Sequence, residues 1–97
     1  MIVSFKDKPT EEIYHGQKSK KSLSKLPFSL WNIAYRKFYF LEHATTLKDL
    51  TVPPSNHLEL LKGDRKGQYS IRINNQYRLC FYWSKEGVKD VEICDYH

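Results

Sequence analysis

LELLKGDRKGQYSIRINNQYRLCFYW, residues 58–83, is the stretch on which the fold turns. An apolar approach (Leu58, Leu60, Leu61) leads into a basic turn (Lys62, Gly63, Asp64, Arg65, Lys66, Gly67), and two alternating segments follow, joined at Asn74, Asn75 and Gln76. Tyr69, Ile71 and Ile73 alternate with Gln68, Ser70, Arg72 and Asn74, while Tyr77, Leu79, Phe81 and Trp83 alternate with Arg78, Cys80 and Tyr82. Successive side chains of a strand point to opposite sides, so the pattern predicts a hairpin with one apolar face and one face carrying Arg72 and Arg78. Antiparallel sheets commonly keep one face wet, and arginines there are ordinary unless other groups gather around them.

Outward from the hairpin, the remaining chain supplies what covers its apolar face. Ile2, Val3 and Phe5 read as a short opening strand, and Asp7 to Tyr14, with Pro9 and Glu11 in its first turn, as a short helix closed by Gly16. The Lys/Ser-rich run from Gln17 to Lys25 reads as a loop ending at Pro27. Ser29 is the expected N-cap of a longer helix through Ala44, in which Trp31, Ala34 or Tyr35, Phe38 and Leu41 recur at helical spacing, a stripe suited to packing on a sheet. Thr45 to Leu50 reads as a capped helical turn, and Val52, Pro53 and Pro54 end regular structure. Beyond Trp83 a polar turn at Ser84 to Gly87 precedes a last strand, Val88 to Ile93. The order β-α-α-β-β-β predicts one α+β domain over residues 1–97, two helices on one face of a mostly antiparallel sheet and the other face open.

Composition narrows the partners. Sixteen Lys and Arg against eleven Asp and Glu give a net charge of +5, and 14% of residues are aromatic, a balance suited to a polyanion. From Gln17 to Leu41 there is no acidic residue, while Lys18, Lys20, Lys21, Lys25, Arg36 and Lys37 are basic; such a run is either a phosphate-neutralising arm or a solvated loop. Cys80 and Cys94 sit inside strand-like runs, which with no signal-peptide core and no membrane-spanning run points to a cytoplasmic protein with reduced thiols. His15, His43, His57 and His97 are scattered without tetrahedral-site spacing, and no phosphate-binding glycine loop occurs, so neither metal nor cofactor is expected.

Three separated blocks carry a resemblance that covers essentially the whole chain: the opening IVSFKDK, the run LKGDRKGQYSIRINNQYRLCF, and the ending DVEICDYH. Together they resemble the HigB toxins of the RelE/ParE superfamily. The resemblance implies a RelE-like fold and a type II toxin that enters the ribosomal A site and cuts the bound mRNA. Its implied partner is a HigA-type helix-turn-helix antitoxin, through which alone the pair would touch operator DNA.

Carried over residue by residue, the resemblance marks Lys62, Arg78, Asp95, Tyr96 and His97 as active-site positions. Some members have a His three residues before the turn Lys, where this chain has Glu59. RNA can be cut without metal when its own 2′-hydroxyl attacks the adjacent phosphate, given a base, a charge stabiliser and an acid. Lys62 and Arg78 suit charge stabilisation. Glu59 or His97 suits proton transfer, His97 being favoured by the reference imidazole pKa of roughly 6.5. Arg65, Lys66, Arg72 and Tyr77 are the expected RNA-binding residues, and Tyr96 could bond the phosphate or stack on a base. Strict alternation from Ile93 sends Asp95 and His97 to the apolar face and only Tyr96 to the arginine face, unless the strand ends or bulges first. Two other readings share this fold: a ParE-like toxin that inhibits DNA gyrase by contact, and a plain RNA-binding module.

Overall fold

The computed structural model describes residues 1–95. Helices α1 (Lys8–Tyr14), α2 (Lys20–Lys25) and α3 (Trp31–His43) precede strands β1 (Glu59–Leu60), β2 (Tyr69–Arg72), β3 (Tyr77–Ser84) and β4 (Gly87–Asp95). The strands form one antiparallel sheet in the order β1-β2-β3-β4, each pairing with its successor in sequence. This is the expected α+β class, although the opening residues make isolated bridges in place of a strand and three helices stand where two were expected.

The hairpin forms as the alternation requires. Tyr69 lies opposite Phe81 and Ile71 opposite Leu79, which stacks the apolar residues on one face, while Ser70 faces Cys80 and Arg72 faces Arg78 on the other. The turn is held by Asn74, whose side-chain oxygen accepts from the backbone N–H of Gln76 and of Tyr77, both at 2.8 Å, an Asx-type closure of the chain. On β4 the apolar residues Val88, Val91 and Ile93 are not evenly spaced, and one extra residue must be absorbed to keep them on one side. Asp90, at φ 52°, absorbs it where the β3–β4 register shifts between Cys80 and Tyr82.

The apolar face is covered by α1 and α3. Ile13 of α1 and Trp31, Ala34, Phe38 and Leu41 of α3 share one core with Ile71, Leu79, Phe81, Val88, Val91 and Ile93. Helix α1 starts where Asp7 Oδ1 accepts from the Thr10 N–H at 2.8 Å. Thr10 Oγ1 in turn accepts from the Ile93 N–H, so the helix also closes part of the β4 edge. The opening residues close the rest: Ile2 and Phe5 make parallel bridges to Val88 and Val91. Here the chain runs against Gly87, where an added Cβ would collide with the Met1 carbonyl oxygen.

Four further expectations need correction. The Lys/Ser-rich run is not a loop throughout: it contains α2, nucleated by a reciprocal cap in which Ser19 and Ser22 each bond the other's backbone N–H. Ser29 does not cap α3. It lies in a 3-10 turn, Phe28–Leu30, that feeds the helix directly, and the indole of Trp31 donates back to the Leu26 carbonyl at 2.9 Å to fix the entry. The prolines do not end regular structure outright, since Pro54–Asn56 forms a further 3-10 turn and Glu59–Leu60 adds a strand to the sheet. Nor is the second face fully open: the segment after β1 folds over it, burying Leu61 against Cys80 and Cys94. The Thr45–Leu50 region does form a capped turn, with Thr46 and Asp49 bonding reciprocally ahead of Leu47–Thr51. No helix among the described residues is long and apolar enough to cross a membrane.

Candidate functional site

The hairpin register places Arg72 beside Arg78, with Cys94 of β4 on the far side of Arg78; in the next row Glu59, Ser70, Cys80 and Glu92 follow across the four strands. Arg78 stands near the middle of this face. Its side chain is only 9% exposed, and a guanidinium taken that far from water needs compensating partners. It has them: Nε donates to Ser70 Oγ at 2.7 Å, Nη2 donates to the His57 carbonyl, and Glu59 Oε1 stands 3.6 Å from Nη2. His57 presents that carbonyl because its backbone is left-handed, at φ 45°, just after the Pro54–Asn56 turn.

The other expected residues do not all gather at Arg78. Glu59 is half exposed and next to Arg78, so these two are brought together. Lys62 and Lys66 are exposed and line a shallow groove of about 450 Å³ with Leu60, Leu61, Gly63 and Gly67, whose lining does not include Arg78. Between them Arg65 turns inward, its Nη1 donating to Glu92 Oε1 at 3.0 Å and to Gln68 Oε1 at 3.1 Å, which straps the basic turn onto β4. Arg72 is half buried, donates through Nε to the Asn74 carbonyl at 3.2 Å, and lines a separate cleft against α3. Tyr77 packs against the core and faces Asp95 across the ladder.

Between Ile93 and Asp95, strand β4 neither ends nor bulges. It runs through that residue, which is exposed and accepts from Gln76 Nε2 at 3.2 Å. Tyr96 and His97 lie outside the described residues.

Two thiols floor this face. Cys80 and Cys94 are buried and free. Hydrogen bonding with Cys80 and burial push the Cys94 thiol well above the usual range, so it stays protonated and poorly nucleophilic. Among the described residues no group of three or more His, Cys, Asp and Glu is placed to hold a metal ion.

Sequence reasoning missed Ser70 and the His57 carbonyl. Ser70 was within reach of the pattern, because the turn at Asn74–Gln76 fixes the register and leaves Ser70 diagonal to Arg78, close enough for a long side chain. The carbonyl was not, since a backbone oxygen aimed by a left-handed residue leaves no trace in side-chain alternation.

The chain matches the family model of HigB-like toxins, described as the RelE-like toxin of type II toxin-antitoxin system HigB, over residues 3–97. It is 42% identical over 83 residues to Toxin HigB-1 of Vibrio cholerae, a match covering 86% of this chain and 84% of that one. It is 38% identical over 68 residues to a Haemophilus influenzae protein, covering 70% of this chain and 67% of that one. Among solved structures it resembles a chain of the YoeB-YefM complex from Staphylococcus aureus, with a TM-score of 0.61 and 18% identity over 100% of this chain and 98% of that one. That last likeness is one of fold.

Proposed function

This chain belongs to the HigB-like family of RelE-like type II toxins, and from that premise we propose that it is a metal-independent endoribonuclease that cuts mRNA in the ribosomal A site and so arrests translation in the cytoplasm. The observation that carries this reading is the setting of Arg78. A guanidinium held by Ser70 and a backbone carbonyl, with Glu59 beside it, is oriented before any substrate arrives. Preorganised cations of this kind do the most where negative charge develops in a transition state.

In the proposed reaction the 2′-hydroxyl of one nucleotide attacks its 3′-phosphate in line. The oxygen–phosphorus bond to the next nucleotide breaks, leaving a 2′,3′-cyclic phosphate on one fragment and a 5′-hydroxyl on the other. Arg78 bears the charge on the phosphoryl oxygens, and Lys62, from its own groove, steadies the RNA backbone. Glu59 and His97 divide the proton transfers, one taking the 2′-hydroxyl proton and the other protonating the leaving oxygen. Tyr96 is assigned to the phosphate or a base, while Asp95, which β4 carries in register with Tyr77 on the side of Ile93, is given no part in the bond-making step. Lys66 and Arg72 are assigned to the RNA on either side, while Arg65, paired with Glu92, and Tyr77, packed on the core, hold the sheet and turn in place.

The partner that keeps the toxin silent is an antitoxin, which we take to be of HigA type with a helix-turn-helix domain; the toxin-antitoxin complexes among solved structures of this fold support an antitoxin partner as such. The functional test is to add the purified chain to ribosomes programmed with a defined mRNA and map the RNA ends. Cuts within the A-site codon, absent from naked mRNA, are expected. Intact mRNA together with inhibited DNA gyrase supercoiling would instead assign the chain to the gyrase-binding toxins of this fold.

A further inference from the structure

A second basic feature lies against α3. A cleft of about 540 Å³ opens between α3, the His57 region and the β2–β3 turn, and its lining includes Arg36, Lys37, His57 and Arg72 with no carboxylate. Its cations are poorly neutralised. No Asp or Glu among the described residues comes within ion-pair distance of Arg36, Lys37 or Arg72. Lys37 is a buried lysine whose ammonium is met by an amide oxygen, Asn56 Oδ1 at 2.7 Å, instead of a carboxylate. Burial and the neighbouring Arg36 hold it below the usual lysine range. Among the described residues Arg72 bonds only through Nε, its η nitrogens meeting no acceptor, and Arg36 is exposed with no hydrogen bond or ion pair.

Like charges gathered without counter-charge cost stability and attract anions. This gathering adjoins the candidate centre, because Arg72 is the direct cross-strand neighbour of Arg78, and His57, which lines the cleft, also gives its carbonyl to Arg78. A single-stranded RNA lying across Arg78 would pass its neighbouring phosphates over Arg72. The open shape and a lining whose charged groups are all cationic suit a backbone phosphate; a folded protein partner would bring apolar surface to match, and the cleft offers only Ile33 and Ile73.

We propose that this cleft is a phosphate-binding subsite in which Arg36 and Arg72 clamp an RNA backbone phosphate adjacent to the one at Arg78. The proposal rests on the nuclease reading for its substrate, so its test avoids cleavage altogether. A fully 2′-O-methylated RNA oligonucleotide keeps every phosphate but lacks the attacking hydroxyl, and its affinity for the chain is measured over a series of salt concentrations. For single strands each phosphate contact contributes about 0.7 to the slope of log K against log salt. Arg36→Gln/Arg72→Gln should therefore flatten the slope by about 0.7 per lost contact and weaken binding at low salt, while Arg36→Lys/Arg72→Lys should restore most of it. Unchanged thermal midpoints establish that the variants fold.

A slope equal to wild type in the glutamine pair would overturn the subsite, as would salt-independent binding by the wild-type chain. An unchanged slope with lost association to the purified cognate antitoxin would assign the cleft to that protein instead. Failure of the nuclease reading is seen separately, as intact mRNA on programmed ribosomes, and leaves this binding measurement as it stands.

Discussion

Arg78 Nε and Ser70 Oγ, diagonal neighbours across the β2–β3 hairpin, are joined at 2.7 Å in a part of the sheet that water barely reaches. Ser70→Ala should leave a buried donor of a charged group without its acceptor and lower stability by about 1–3 kcal/mol. Urea denaturation measures this. Ser70→Thr keeps the hydroxyl and should stay close to wild type. Because Ser70 orients Arg78, Ser70→Ala should also slow cleavage with little change in KM.

The acid side of the stability profile is set in part by Asp7. Burial alone would raise its carboxyl, but hydrogen bonds from Thr10 and the ammonium of Lys25, 3.0 Å away, outweigh it and hold the group below the usual range. A lowered carboxyl contributes stability that is fully present above the unfolded value near pH 4 and is lost as pH falls through the folded value. Wild type should therefore lose stability below about pH 4 more steeply than Asp7→Asn. Asp7→Ala, which also removes the cap of α1, should cost about 1 kcal/mol at neutral pH. Thermal melts from pH 2 to 7 check both.

The two thiols should be nearly inert in the folded chain. Cys80 is 0% exposed and Cys94 5%, and Cys94 is held protonated. Titration with an aromatic disulfide reagent at pH 8 should proceed slowly in buffer and reach both thiols quickly in denaturant. Rapid native reaction would show that the segment over Leu61 opens readily.

The sheet was legible because its signal is local: two alternating runs separated by Asn74, Asn75 and Gln76 fix a hairpin, its register and the sidedness of Arg78. Helix α2 was not, since Lys20 to Lys25 looks solvated by composition and its stability comes from two serines capping each other and from Leu26 buried beyond them. The sequence marked Lys62 and Arg78 as one group, whereas β1 turns the chain so that Lys62 lines a groove of its own and Glu59 is what meets Arg78. Arg65 looked like a free cation for the same reason that Lys66 does, and only the fold reveals Glu92 across from it. Charge is visible in a sequence; whether it is already neutralised depends on long-range pairing.

The division of acid and base is open to a pH–rate profile. His97→Gln should remove the limb that reports proton uptake by the base, and Glu59→Gln should lower the rate while keeping that limb. The reverse outcome would make Glu59 the base. Both positions lie at the edge of the fold or beyond the described residues, so thermal midpoints should move little in Glu59→Gln.

Arg78 is assigned to stabilise charge on the scissile phosphate, and single-turnover cleavage of A-site mRNA on programmed ribosomes is the sharpest test of that role. With ribosome binding and folding verified for each variant, Arg78→Ala should cut at least about 100-fold more slowly than wild type, the loss typical of removing one preorganised donor. Arg78→Lys should recover only part of that rate, because an ammonium cannot reach Ser70, the His57 carbonyl and a phosphate from one rigid plane. Cleavage by a folded, ribosome-bound Arg78→Ala variant at the wild-type rate would contradict the assignment.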